Sequence, residues 1–256
     1  CHLLLSNGSL RLTRGPKENG HRPAIDPLFR TASHSYGPRV VGVVLSGNLN
    51  DGSAGLMAIK QRGGVAVVQS IETALYQGMP QSAIDHVAVD HVLSPPAIPL
   101  LLAELVAQSV QPWKGPMSDD PELQQADEFA LTDRHKQPGV PSTMTCPECH
   151  GTLWEVKDEE LVRFRCRVGH AYSDEALLVH QGEQLEAALW TALRALEEHA
   201  ALGRRLAARA NSRGHTHSAS AFTEQVMAAE HHASVIRVVL DRGIRTGEPT
   251  ETMLVG

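Results

Sequence analysis

Two constellations in this 256-residue chain have residue types and spacings that could do chemistry. Cys146-Pro147-Glu148-Cys149 and Cys166-Arg167-Val168-Gly169-His170 form C-x2-C-x16-C-x3-H. Three thiolates and one imidazole on two knuckles, separated by a short hairpin, make the donor set of a tetrahedral zinc ion in a ribbon. All four positions would be filled by protein, so such a metal holds a fold and performs no catalysis. His150, directly after the second cysteine, is a competing ligand, and a disulfide is the alternative that a reducing compartment disfavours. Cys1 lies far off in sequence and reads as an ordinary thiol.

The second constellation is the loop Ser46-Gly47-Asn48-Leu49-Asn50-Asp51-Gly52. A short carboxylate on a Gly/Asn-rich loop can cap the following helix, bind a metal, or accept the Nδ1 hydrogen of a catalytic histidine. Exposed loop N–H groups can also face an oxyanion. Residue type and position leave these jobs open.

The elements that must position these residues follow from patterning. Cys1 to Leu12 reads as a β-hairpin turning at Asn7-Gly8. Val40 to Leu45 is nearly all apolar and β-branched, as in a parallel strand covered on both faces, and it delivers the loop. Ala54 to Arg62 reads as a helix closed by Gly63-Gly64. Val65 to Val68 and His91 to Leu93 read as further strands, and Ile98 to about Val110 as an apolar helix. The spacing thus predicts an α/β fold: a partial doubly wound, mostly parallel sheet domain over 1–110, with ligands beyond the carboxyl ends of its strands. A polar, proline-bearing linker follows at 111–143, and the small zinc ribbon at 144–172 has Leu153–Val156 and Leu161–Phe164 as its hairpin. An α-helical hairpin then spans 173–243, with Phe222, Val226, Val235 and Val239 turned inward, before a loose tail at 244–256. The apolar stripe of those helices serves as their own core or as a docking surface for a receptor, a kinase or a second copy. His215, His217, His231 and His232 lack companion thiolates and read as solvated.

Composition narrows the function classes. A formal net charge of -6 and 4% aromatics argue against a nucleic-acid partner, which needs a clustered basic face and stacking platforms. No apolar run is long enough for a membrane span, and the start lacks the parts of a signal peptide, so a cytoplasmic protein is expected. Beginning at Cys1 and directly with strand-like residues, the sequence reads as a fragment.

Three stretches in order, His21-Arg22-Pro23-Ala24-Ile25-Asp26, then Val41 through Gly55, then Gly78-Met79-Pro80 with Ala83, resemble successive motifs of the chemotaxis protein-glutamate methylesterase family over Cys1 to about Ala107. The resemblance implies hydrolysis of glutamyl methyl esters on methyl-accepting chemoreceptors, and deamidation of receptor glutamines, by a Ser-His-Asp triad. It implies that Asp51 is the triad acid and that the Asn48 backbone N–H donates to the oxyanion. Asn48-Leu49 stands where the family has Met-Gly. The family's serine and histidine lie upstream of the hairpin, so this fragment alone is expected to be inactive. Ser46, Ser53, His21 and His34 do not offer a Ser-His pair in the required order. The cysteine module and the helix after it are similar to a C-terminal extension of some methylesterase-like bacterial proteins. Structural zinc is the expected cofactor, with no organic cofactor. The alternative to an enzyme is a non-catalytic adaptor, in which a degenerate esterase lobe presents the zinc-helical tail.

Overall fold

The computed structural model describes residues 1–6, 8–110, 139–158 and 161–243. Of the described residues, those up to 177 form one compact unit and 178–243 another. Most of the expected linker and all of the expected tail lie outside the described residues.

In the first unit, β1 (His2–Ser6) and β2 (Ser9–Thr13) pair antiparallel. β1 lies against α1 (Ile25–Tyr36), where Thr31 Oγ1 accepts the Leu5 N–H at 3.0 Å and Ser35 Oγ donates to Leu5 O at 3.1 Å. β3 (Val41–Val44), β4 (Val65–Gln69) and β5 (His91–Leu93) form a three-stranded sheet in that order, and both of its pairings are parallel. The connections are α2 (Ser53–Gln61) and α3 (Gly78–His86), and α4 (Ile98–Ala107) follows. Mixed α/β architecture with a parallel sheet therefore holds.

Branched and apolar residues build this core. Val44, Leu56, Ile59, Ala66, Val67, Val68 and Ala83 are fully buried. Burying each valine, leucine or isoleucine side chain contributes about 1.5–3 kcal/mol, which fixes strand register because a one-residue slip would expose it. Gly42 lets α2 approach β3, since a Cβ there would lie 2.6 Å from Leu56 Cδ1.

The same unit contains a four-stranded antiparallel sheet, β6 (Val140–Thr145), β7 (Thr152–Asp158), β8 (Leu161–Cys166) and β9 (Ala171–Ser173), in that order. The expected hairpin lies within β7 and β8, while β6 and β9 are additions that two short apolar runs did not announce. Leu161 is buried in the same apolar cluster as Val44 and Leu56, so this sheet shares the core of the parallel one. α5 (Asp174–Ser212) starts at Ser173, whose Oγ accepts the Ala176 N–H at 3.1 Å as an N-cap.

In the second unit α5 pairs with α6 (Thr216–Asp241). Val226 is turned inward as expected, but Val235 and Val239 are exposed. The seam instead runs through the small residues Ala200, Ala219, Ala229 and Ala233, and Gly203, where a Cβ would come within 2.7 Å of Val226. Small residues bring the backbones close, which rotates the larger valines out of the contact. Arg204–Glu230 and Arg237–Glu197 ion pairs flank it. Among the described residues, no helix is long and apolar enough to cross a membrane.

Candidate functional site

The Gly47–Gly52 loop leaves β3 at its carboxyl end and is pinned by its neighbours. Gln69, the last residue of β4, accepts the Ser46 N–H at 2.9 Å and donates to Thr73 O at 2.8 Å. Ser46 Oγ accepts the Tyr76 N–H at 2.8 Å, and Tyr76 O accepts the Gly47 N–H at 3.0 Å. Met79 N–H donates to Gly47 O at 2.8 Å. Two glycines make this approach possible: a Cβ on Gly47 would lie 2.1 Å from Met79 Sδ, and one on Gly78 would lie 2.7 Å from Leu49 N. Leu49 has φ 60°, so the backbone keeps a glycine-like conformation although the residue is leucine. Asn48 is exposed beside it.

Asp51 does cap a helix, but not the one that follows it. Its Oδ2 accepts the Ile25 N–H at 2.8 Å and its Oδ1 the Asp26 N–H at 3.3 Å, satisfying the first two orphan donors of α1. The start of α2 is capped in return by Asp26, whose Oδ1 accepts the N–H groups of Gly52 at 3.1 Å and Gly55 at 2.7 Å. Two carboxylates thus cap each other's helices. Burial raises the Asp51 pKa to about 7, the neighbouring Asp26 charge adds to the rise, and the Ile25 and Asp26 amides oppose it. Asp26, 1% exposed, is also raised, chiefly by burial. Each Asp51 oxygen retains a lone pair beyond its amide partner, and the residue is only partly buried.

Cys146, Cys149, Cys166 and His170 come together, with their ligand atoms all within 4.8 Å of one another. Cys146 Sγ lies 3.6 Å and Cys166 Sγ 3.5 Å from His170 Nδ1, and Cys149 Sγ lies 3.6 Å from Cys166 Sγ. The sulfurs are too far apart for a disulfide. They match the edges of a tetrahedron built from metal–sulfur bonds of ~2.3 Å and a metal–nitrogen bond of ~2.0 Å. Each knuckle is held by its backbone: Cys146 N–H donates to Gly151 O at 2.8 Å, and Cys166 N–H to His170 O at 3.0 Å. Burial lowers the His170 pKa, keeping the neutral imidazole that binds metals. Burial, helped by the Cys146 thiol, pushes the Cys166 thiol up to about 12, a balance that a dication between the sulfurs would reverse. Tyr172, fully buried, places its hydroxyl 3.9 Å from Cys146 Sγ as a supporting donor. These four residues can hold a metal ion. His150 is not among them; it occupies the left-handed region, φ 57°, on the first knuckle.

The other residues weighed from sequence serve the scaffold. Ser53 Oγ donates to Ser82 Oγ at 3.0 Å, and Ser46 is bound to Tyr76. His215, His217, His231 and His232 are exposed. Several residues that matter were not singled out. His2, 3% exposed, accepts the Ala24 N–H on Nδ1 at 3.2 Å, with its Nε2 2.8 Å from Pro16 O. Glu18, Asn19 and Asn50 are buried polar residues around the Asp51 loop. Asp26 sat inside the His21–Asp26 motif, and that was its one visible signal.

Residues 1–102 match the family model described as CheB methylesterase. A protein-glutamate methylesterase/protein-glutamine glutaminase of Pyrococcus abyssi is 40% identical over 106 residues, 41% of this chain and 28% of that protein. One of Anaeromyxobacter dehalogenans is 41% identical over 104 residues, 41% of this chain and 30% of its own length. The chain therefore spans under a third of either relative. The Thermotoga maritima CheB methylesterase catalytic domain is 34% identical, with a TM-score of 0.39 over 41% of this chain and 56% of that one.

Proposed function

We propose, from the premise that residues 1–102 belong to the CheB methylesterase family, that this lobe supplies the acid of a Ser-His-Asp triad that hydrolyses glutamyl methyl esters on chemoreceptors in the cytoplasm. The observation that carries the reading is Asp51 itself. It is a partly buried carboxylate anchored by two backbone amides, yet raised to about 7 by burial and by the neighbouring Asp26 charge. A histidine placed on the remaining lone pairs would relieve that cost and be fixed in one tautomer.

The serine and histidine of the triad come from family sequence outside residues 1–102. The histidine takes the serine proton as Oγ attacks the ester carbonyl, and Asp51 stabilises the imidazolium. Collapse of the tetrahedral intermediate expels methanol, which takes that proton. Water, deprotonated by the same histidine, then releases the glutamate side chain. The Asn48 N–H faces the oxyanion, and glutamine deamidation follows the same course with ammonia leaving.

Cys146, Cys149, Cys166 and His170 hold a structural zinc ion in a ribbon, with no open coordination position and no organic cofactor. Methanol release from a methylated receptor tests the catalytic reading. In a protein carrying this segment with its serine and histidine, Asp51→Asn should lower kcat by about 10⁴-fold. An unchanged rate would leave Asp51 as a helix cap only.

A further inference from the structure

The Asp51 loop and the four-stranded sheet meet through buried polar side chains, and this junction carries an inference that rests on the zinc reading above. Asn50, adjacent to Asp51 and 6% exposed, accepts from Ser173 Oγ at 2.9 Å and donates to Glu175 Oε2. Ser173 ends β9, three positions after the cluster residue His170. Its N–H donates to Asn19 Oδ1 at 3.0 Å, and Asn19 Nδ2 lies 3.5 Å from Asp26 Oδ2. Asp26 in turn holds the Gly52 and Gly55 amides.

β9 thus reaches the acid loop from both sides, by Asn50 before Asp51 and by Asn19 and Asp26 after it. The junction has further supports. Asn19 N–H donates to Ala171 O at 2.8 Å, and Ala171 N–H to Lys17 O at 3.2 Å. Glu18 lies between Arg30 at 2.5 Å and Arg163 of β8 at 3.2 Å. Gly169, on the second knuckle, approaches Pro16 so closely that a Cβ would lie 2.8 Å from Pro16 Cγ.

We propose that the metal module is a clamp on the Asp51 loop, in which Asn50 is the positioning residue and metal occupancy at Cys146, Cys149, Cys166 and His170 sets how firmly the loop is held. β9 is three residues long; among the described residues it pairs with one strand of the sheet, β8, and follows directly on the second knuckle, while Ala171 also bonds the Lys17–Asn19 segment. A module of this size depends on its metal for a fixed structure. Loss of the ion frees β9, and the bonds to Asn50 and Asn19 go with it.

Hydrogen exchange on the 256-residue chain, with zinc content measured first, tests this. Zinc removal by a chelator should speed exchange at the Ile25, Asp26, Gly52 and Gly55 amides about tenfold or more, while Val67 and Val68 in β4 keep their protection. Asn50→Ala, retaining its zinc, should speed the same loop amides by a smaller factor. Unchanged loop amides after zinc loss, or in Asn50→Ala, would overturn the clamp. If chelation releases β4 as well, the Asn50→Ala comparison decides alone. A chain that binds no stoichiometric zinc would overturn the metal reading and the occupancy control, while Asn50→Ala would still report separately whether β9 holds the loop.

Discussion

The parallel-sheet lobe and the antiparallel ribbon fold as one unit but are ordered by different means. Around Asp51 the chain first buries Val44, Leu56, Ile59 and Val68, and the packed strand then presents a loop whose charges are met by backbone amides. Around Cys146 and Cys166 the buried residues are few, and two of them are themselves ligands. A segment of about forty residues gains little from its own burial against its conformational entropy, and under the zinc reading proposed above the four-residue cluster supplies what a larger core does elsewhere. The lobe tolerates buried carboxylates because backbone amides and arginines meet their charges. On the proposed zinc reading, the ribbon's buried thiols are accounted for by the ion they would bind.

The largest effect expected from breaking this contrast is at Cys166→Ser. Structural zinc contributes on the order of 10 kcal/mol to folding of such modules, so the variant should lose stoichiometric zinc and the ordered β7–β9 region while β3 and β4 persist. Metal analysis with far-ultraviolet circular dichroism checks this; equal zinc in both proteins would contradict it.

The joint between the regions comes next. Glu18 is buried, yet the Arg30 and Arg163 guanidinium groups outweigh that burial and hold its pKa at about 2. Its contribution is full above about pH 4.5 and is lost as pH falls toward 2. Glu18→Gln removes the carboxylate that both guanidinium groups face and should cost about 3–5 kcal/mol in urea unfolding near neutrality, with the difference shrinking in acid. A difference independent of pH would sink the ion-pair account.

Asp51 has the opposite slope. Its folded pKa of about 7 lies above the ordinary 3.8, so the folded state holds a proton that the unfolded chain releases. Stability from this group is full below about pH 4 and declines as pH rises to about 7. The decline is on the order of 4 kcal/mol across that window, and it is shared with Asp26. Asp51→Asn should flatten it, and parallel stability curves for the two proteins would refute the assignment. The smallest effect belongs to Lys17–Glu148, a 2.6 Å pair at the exposed rim of the junction. Lys17→Ala should change stability by less than about 1 kcal/mol, and less still in high salt.

What could be read from the sequence was what is encoded locally. The run Val40–Leu45, the glycine-rich loop after it and the C-x2-C and C-x3-H spacings each state their structure within a few residues. α1 does not. Ala24 offers no capping side chain, and the cap comes from Asp51 in a distant loop. Thr31, Ser33 and Ser35 also blur its periodicity, because their hydroxyls bond to backbone. The junction is hidden for the same reason: Glu18 and Arg163 are 145 positions apart, and nothing local marks either as a partner. In α6 the small residues at the seam carry no hydropathy signal, so the valines drew the inward register. The chemistry of Asp51 was legible as a short set of options, and the capping option pointed to the wrong helix.

The role assigned to Asp51 is tested most directly by proton NMR of a protein that carries this segment together with its serine and histidine. A histidine Nδ1–H bonded to Asp51 should give one far-downfield ring N–H resonance that persists across neutral pH and is lost in Asp51→Asn with the fold intact. The absence of such a resonance, or its survival in Asp51→Asn, would contradict the triad.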